Sequence, residues 1–201
     1  LSSAASDVYK RQGKDYAFST DSNLYLYDLE SKQTTNLTEE IPGYDTNPVF
    51  SPDGKTLAWL SMATAKFESD KKRLMVMDMA TKEKRDLTEN WDYWPEDIAW
   101  SPNGKGIFFN GYYQGTMPIF RIDLASCKID TVASGMWDYV GVNPVSDDKV
   151  IAMRHSMMRP NEICEAQAGQ AKDLTSVNAE LISKLNMGTC LLYTSDAADD
   201  K

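Results

Sequence analysis

A six-residue phrase returns at a fixed distance in this chain. Phe50-Ser51-Pro52-Asp53-Gly54-Lys55 reappears fifty positions later as Trp100-Ser101-Pro102-Asn103-Gly104-Lys105. Recurrence at such a period marks supersecondary units that bury their apolar faces only against one another. The phrase also carries its own geometry. Proline presets φ for the first corner of a type I turn, and Asp or Asn suits the second. The Gly takes the left-handed conformation that closes a tight hairpin. A chain built on this phrase is a series of β-hairpins.

The repeat extends past the hairpin. Leu24 to Lys32, Leu74 to Lys82 and Ile119 to Cys127 each hold a β-prone run, an Asp (Asp28, Asp78, Asp123) and a small hydroxyl residue three positions on. Shorter strands end as Asn36-Leu37-Thr38, Asp86-Leu87-Thr88 and Asp173-Leu174-Thr175. One full unit is laid out as strands at 47–51, 56–61, 74–78 and 84–87. The next runs 97–101, 106–111, 118–123 and 129–133, and a more divergent one 139–142, 150–155, 162–166 and 171–174. The first unit lacks its leading strand and starts near 15–19. Four-stranded meanders of this length predict an all-β fold, a partial β-propeller of about four antiparallel blades at 13–40, 41–90, 91–135 and 136–175. A β-sandwich also uses many short strands, but gives no reason for one hairpin and one Asp turn to recur in register. Helical spacing is confined to 176–187, where Ser176 is placed to cap a helix with Leu181, Ile182 and Leu185 on one face. Residues 176–189 read as a connector.

Both ends differ from the repeat. One DNA sequence, read on opposite strands, encodes residues 2–12 and 190–199, and it resembles a transposase-type sequencing adapter. Segments 1–12 and 190–201 are therefore set aside as adapter-derived. The formal net charge is −9, with 21 Lys and Arg against 30 Asp and Glu. Such a balance excludes a nucleic-acid surface, which needs clustered cations to neutralise phosphates. No apolar run approaches the roughly 18 residues of a membrane span. Cys127 and Cys164 lack metal-ligand spacing and read as ordinary strand residues.

The recurring Asp residues sit at equivalent turns, where a carboxylate accepts local backbone N–H groups, so they read as turn formers rather than catalytic acids or metal ligands. His155 is the sole histidine and has no nucleophile motif beside it. The chain has no Gly-x-Ser-x-Gly elbow, HExxH, Walker loop, CxxC or dinucleotide loop, hence no catalytic residue and no cofactor or metal is assigned. The less generic residues fall between strands. In a meander blade the loop leading into a blade and the loop joining its second and third strands emerge on one face. The first kind carries Tyr44-Asp45, Trp91-Asp92-Tyr93-Trp94 and Trp137-Asp138-Tyr139. The second carries Phe67-Glu68, Tyr112-Tyr113 and 157–161 with Arg159, and Glu162 follows. An aromatic and acidic face suits a peptide or a cationic amine, through cation–π and charge-assisted contacts; the alternative is that the aromatics wedge between blades and the acids simply hydrate the loops.

The segment Asn47 to Trp59 resembles the propeller repeat shared by TolB and the prolyl oligopeptidase family. It lacks the Gly-His and Trp-Asp of WD40 repeats and the spacing of the sialidase Asp-box. The run Arg154 to Ile163, then Asp173-Leu174-Thr175, then Val177 to Asn186 looks like the end of the propeller in bacterial S9 peptidases of the dipeptidyl-peptidase 5 type. That resemblance implies a serine peptidase releasing dipeptides from peptide N-termini, with an α/β-hydrolase domain beyond the connector that carries Ser, Asp and His. The propeller would admit short peptides and exclude folded proteins. Acidic propeller residues anchor the substrate amino group in such enzymes, which makes Asp92, Asp138 and Glu162 candidates here. The resemblance also implies a periplasmic or secreted bacterial protein. A stand-alone TolB-like protein-binding propeller is the alternative, and a propeller hydrolase or lyase with a central-channel site is a third reading.

Overall fold

The computed structural model describes residues 20–191. The strand expected at 15–19 and nearly all of the adapter-like ends lie outside that range. Three four-stranded antiparallel sheets are present, each a meander. The first is β3 (Asp45–Phe50), β4 (Thr56–Ser61), β5 (Arg73–Asp78) and β6 (Lys84–Asp86). Next come β7 (Pro95–Trp100), β8 (Gly106–Gly111), β9 (Ile119–Asp123) and β10 (Ile129–Ala133). The last is β11 (Asp138–Pro144), β12 (Lys149–Ser156), β13 (Arg159–Gln167) and β14 (Gln170–Asp173). Ahead of them, β1 (Tyr25–Tyr27) pairs β2 (Thr34–Asn36), the outer half of an earlier blade.

Alternation along the second strands shows how the sheets stack. Leu57 and Trp59 of β4 face the first blade, packing with Leu24 and Leu37. Their neighbours Ala58 and Leu60 face the third, packing with Ile98, Trp100, Ile107 and Phe109. Phe108 then turns to the fourth blade, with Tyr139, Val150 and Cys164. Each inner sheet is covered on both sides, so its second strand is an unbroken apolar run instead of an alternating one. The innermost strands stand side by side, β7 between β3 and β11. This is the stacking of propeller blades.

Local chemistry sets the turns. Gly54 and Gly104 lie at φ +70° and +69°, and their amides donate to the carbonyls of Ser51 and Ser101 at 2.8 and 2.9 Å. Asp53 and Asn103 accept the amides of Lys55 and Lys105. Asp28, Asp78 and Asp123 accept the amides of Ser31, Thr81 and Ser126 in their own turns, as expected of turn formers. The recurring Leu-Thr pair is a latch. The hydroxyls of Thr38, Thr88 and Thr175 accept the amides of Leu24, Leu74 and Ile163, each at 2.9 Å, and tie outer strand to third strand.

Two expectations are corrected. The innermost strands β3 and β7 begin at Asp45 and Pro95, two residues early, because Asn47 and Asp97 sit inside a bulge at φ 54° and 49°. Gly141 holds the same place in β11 at φ 67°. A polar residue favouring positive φ, followed by Pro in Asn47-Pro48, reads locally as a strand boundary. The helix is only α1 (Ala179–Ile182), and Ser176 does not cap it. Instead the Glu162 carboxylate accepts the amides of Val177 and Asn178, both at 3.2 Å, so a strand acid satisfies the entering turn.

Candidate binding face

The loops leading into each blade and the loops joining second to third strands lie at one end of the stack, as the meander predicts. Met62 donates its amide to the Tyr44 carbonyl at 3.0 Å, and Lys71 Nζ donates to the Thr88 carbonyl at 2.8 Å. Lys72 pairs with Glu96. In the next blade Met117 bridges Asp138: its amide donates to the Trp137 carbonyl at 3.3 Å, and the Tyr139 amide donates to its own carbonyl at 2.9 Å.

In the third blade the aromatics organise around Trp91. Its ring meets Tyr93, Phe109 and Phe120 edge-on at 5.2–5.5 Å between centroids, and Tyr93 packs on Tyr113 at 4.6 Å. Trp91 thus wedges into the core shared by the second and third blades, an aromatic geometry that adds about 0.5–1.5 kcal/mol per pair beyond burial. Gly111 permits this closeness, since a Cβ there would lie 2.6 Å from the Trp94 carbonyl oxygen and 3.0 Å from the Trp91 ring. Trp94 is half-buried, whereas Asp92 and Tyr112 stay exposed.

The fourth blade holds the other candidates. Tyr139 is buried; burial pushes its phenol pKa up, and its hydroxyl donates to the Ser134 carbonyl at 3.4 Å. Trp137 is half-buried under two guanidinium groups, Arg154 at 4.3 Å and Arg159 at 5.5 Å from the ring centroid. Asp173 fixes both, accepting Arg154 Nε at 2.6 Å and pairing Arg159 Nη1 at 3.4 Å. The Arg154 hydrogen bond holds the Asp173 carboxyl below the usual range. Asp138 stays partly exposed, its Oδ2 3.8 Å from His155 Nε2. Glu162 is turned inward, its carboxyl held low by the Thr175 hydroxyl and the Asn178 amide, and is engaged by the Val177–Asn178 turn. Arg159, expected in a loop, begins β13, which leaves a hairpin tip of only Met157 and Met158.

A cavity of about 410 Å³ opens beside this group, bordered on one side by Met136, Trp137, Asp138, Met157 and Arg159 and on the other by residues 187–190, the last of them in the adapter-like end. Sequence reasoning named Trp137, Asp138 and Arg159 but missed Met136, Arg154 and Asp173. The Asp173-Leu174-Thr175 repeat marked Asp173 as the end of a short strand, and nothing in the sequence linked it to Arg154, 19 positions away. Among the described residues no cluster of three His, Cys, Asp or Glu could hold a metal ion, and no helix is long and apolar enough to cross a membrane.

Stacked four-stranded sheets with side-by-side inner strands, and with aromatic and acidic loops gathered at one end, define an arc of a β-propeller. The chain belongs to the TolB β-propeller domain family, whose model matches residues 14–201. It is 37% identical over 183 residues to dipeptidyl-peptidase 5 of Porphyromonas gingivalis, covering 90% of this chain and 27% of that protein. The Porphyromonas endodontalis dipeptidyl-peptidase 5 is 38% identical over 183 residues, with 90% and 26% covered. The chain thus spans about a quarter of the length of these relatives. Among solved structures, Pyrococcus horikoshii acylaminoacyl peptidase superposes with a TM-score of 0.65 at 18% identity, over 82% of this chain and 24% of that one. The β-propeller domain of the Trilobed protease from Pyrococcus furiosus gives 0.60 at 20% identity, over 81% and 47%. TolB from Acinetobacter baumannii gives 0.56 at 19% identity, over 76% and 37%. These structural likenesses establish the fold.

Proposed function

We propose that this chain is the gating and substrate-selecting propeller of a serine-type dipeptidyl peptidase, acting on short peptides together with an α/β-hydrolase domain that supplies Ser, Asp and His. The supporting observation is sequence identity to two dipeptidyl-peptidase 5 proteins across 90% of the chain. The exposed carboxylates of the loop face suit the charge of a peptide amino terminus, and of the three acids weighed for that role Asp92 and Asp138 remain available. Glu162 does not, being committed to the connector. Its place in the cell is the periplasm or the exterior of a bacterium.

The 201-residue chain by itself has no peptidase activity in this reading, so hydrolysis of a dipeptidyl reporter by the purified chain contradicts it. In the full-length protein, Asp138→Asn and Asp92→Asn raise KM for free-amine substrates and leave kcat nearly unchanged if either acid anchors the amine. Unchanged KM in both variants removes them from that role. A second reading, a stand-alone TolB-like protein-binding propeller, is favoured by the family match over 14–201. A Gly-x-Ser-x-Gly elbow encoded downstream of Thr189 decides for the peptidase, and a stop or an unrelated domain there decides for the binder.

A further inference from the structure

We propose that Asn103, at the hairpin tip of the third blade, is a site of spontaneous deamidation in the folded chain, and that Asn110 in the same blade is shielded from that reaction. Asn is followed by Gly at both positions and nowhere else in the sequence. The Gly amide nitrogen attacks the Asn Cγ, with no Cβ of its own to obstruct the approach. The N–Cγ bond forms, the Cγ–Nδ2 bond breaks, and the amide proton leaves with Nδ2 as ammonia. Water then opens the resulting succinimide, giving aspartate or, by cleavage at the main-chain carbonyl, isoaspartate. At Asn103 the turn prepares this step. The Lys105 amide donates to Asn103 Oδ1 at 2.8 Å, closing an Asx turn whose ring contains both Asn103 Cγ and the Gly104 nitrogen. Ser101 Oγ donates to the same oxygen at 2.8 Å. Two donors are thus fixed on the atom that gains negative charge as the nitrogen adds. Asn103 is exposed, so water reaches the ring that forms.

The product already has a place in this fold. The equivalent turn of the second blade holds Asp53, whose Oδ1 accepts Ser51 Oγ at 2.7 Å and the Lys55 amide at 3.1 Å. Asn110 is in the opposite situation. It is 1% exposed within β8, and its Nδ2 donates to the Tyr139 carbonyl of the fourth blade. Its Oδ1 is buried and has no donor among the described residues, so nothing there stabilises an oxyanion. An aspartate at 110 would set a buried carboxylate against the Tyr139 carbonyl oxygen. Conversion at 103 bears on the boundary between the same two blades. The Asn103 amide donates to Asp147 Oδ1 in the fourth blade at 2.9 Å. Aspartate keeps that amide and adds a second carboxylate beside Asp147, whereas isoaspartate lengthens the main chain by a methylene and breaks the turn.

The test incubates the 201-residue chain in mildly alkaline buffer, with and without urea, and follows Asn, Asp and isoaspartate at both positions by peptide mass spectrometry. In buffer Asn103 is expected to convert about tenfold or more faster than Asn110, since even one fixed oxyanion donor is worth that much. In urea, which removes both the turn and the strand, the two rates converge. Equal rates in buffer, or a faster Asn110, overturn the proposal. Ser101→Ala removes one donor and is expected to slow conversion at Asn103 severalfold while leaving Asn110 as it was; an unchanged or faster Asn103 rate shows that the turn does not promote the reaction. Asn103→Asp tests the product directly. Its thermal midpoint is expected to match that of the wild type, and a clear drop overturns the claim that the third blade accommodates aspartate as the second does.

Discussion

The Asp97 carboxylate in the third blade accepts the backbone amides of Gly141 and Val142 in the fourth, at 2.5 and 3.1 Å. All three residues belong to the bulges of adjoining innermost strands, so one blade's irregularity caps that of the next. Asp97→Ala should cost about 1.5–3 kcal/mol, the range for a hydrogen bond to a charged group, plus the strain of Ala at positive φ. Asp97→Gly removes the acceptor alone. Urea unfolding should rank wild type above Asp97→Gly above Asp97→Ala, and equal midpoints would show that the cap contributes nothing.

Backbone strain and collision are separable at two glycines. At Gly54 a Cβ meets nothing within 4 Å, so Gly54→Val pays only for a β-branched residue at φ +70°, about 1–3 kcal/mol. At Gly43 a Cβ would lie 1.7 Å from the Met62 carbonyl oxygen, so even Gly43→Ala forces the loop before β3 away from the Met62 backbone. Thermal denaturation should find Gly43→Ala the more damaging despite its smaller side chain.

Two buried or half-buried carboxylates respond to pH with opposite signs. Asp45 is 3% exposed, takes one hydrogen bond from Trp59 Nε1 at 3.0 Å, and leaves Oδ2 without a partner. Burial raises its folded pKa above the ordinary 3.8. Its contribution is then most favourable below the unfolded value and is lost as pH rises through the folded one. Asp45→Asn should therefore stabilise the chain at pH 8 and do little at pH 3.5.

Asp173 behaves in reverse, because its bond to Arg154 lowers its folded pKa. Its contribution is present above the ordinary 3.8 and disappears as pH falls through the lowered value. Asp173→Asn should destabilise at pH 7 and converge with wild type in strong acid. Melting temperatures of both variants across this range check the signs, and parallel pH profiles for the two would refute the assignment.

The sheet β11–β14 is covered on the side of Cys164 and Ala166, but its other side exposes Met153, Ile163 and Leu174. Such a face drives association at high concentration. Met153→Lys with Ile163→Lys should lower the apparent mass of the chain in concentrated solution by light scattering. A monomeric wild type at the same concentration sinks the expectation.

What could be read without coordinates was whatever closes over a few residues. Ser51 bonds the amide of Thr56 five positions on, and Asp78 bonds Thr81 three positions on. Pro, Asp, Asn and Gly at set offsets suffice to predict those turns, and their period yields the blades. The Leu-Thr latch was visible as a repeat but not as a mechanism, since Thr88 reaches back 14 residues to Leu74. The ends of the innermost strands were misplaced for a related reason: Asn47 and Asp97 mimic a boundary locally, and only pairing with β4 and β8 reveals a bulge.

By itself, then, the sequence determined the hairpins, their spacing, the stacked all-β architecture and the face on which the aromatic and acidic loops gather. Tertiary structure alone decided which of those side chains are available. Trp91 and Tyr139 were absorbed into the packing, and Glu162 was drawn to the amides of Val177 and Asn178. Trp137 and Asp138 were left at a cavity, held by Met117, Arg154 and Asp173. The physical reason is distance along the chain. Turn chemistry acts between near neighbours, whereas the fate of a loop residue depends on contacts from other strands and other blades.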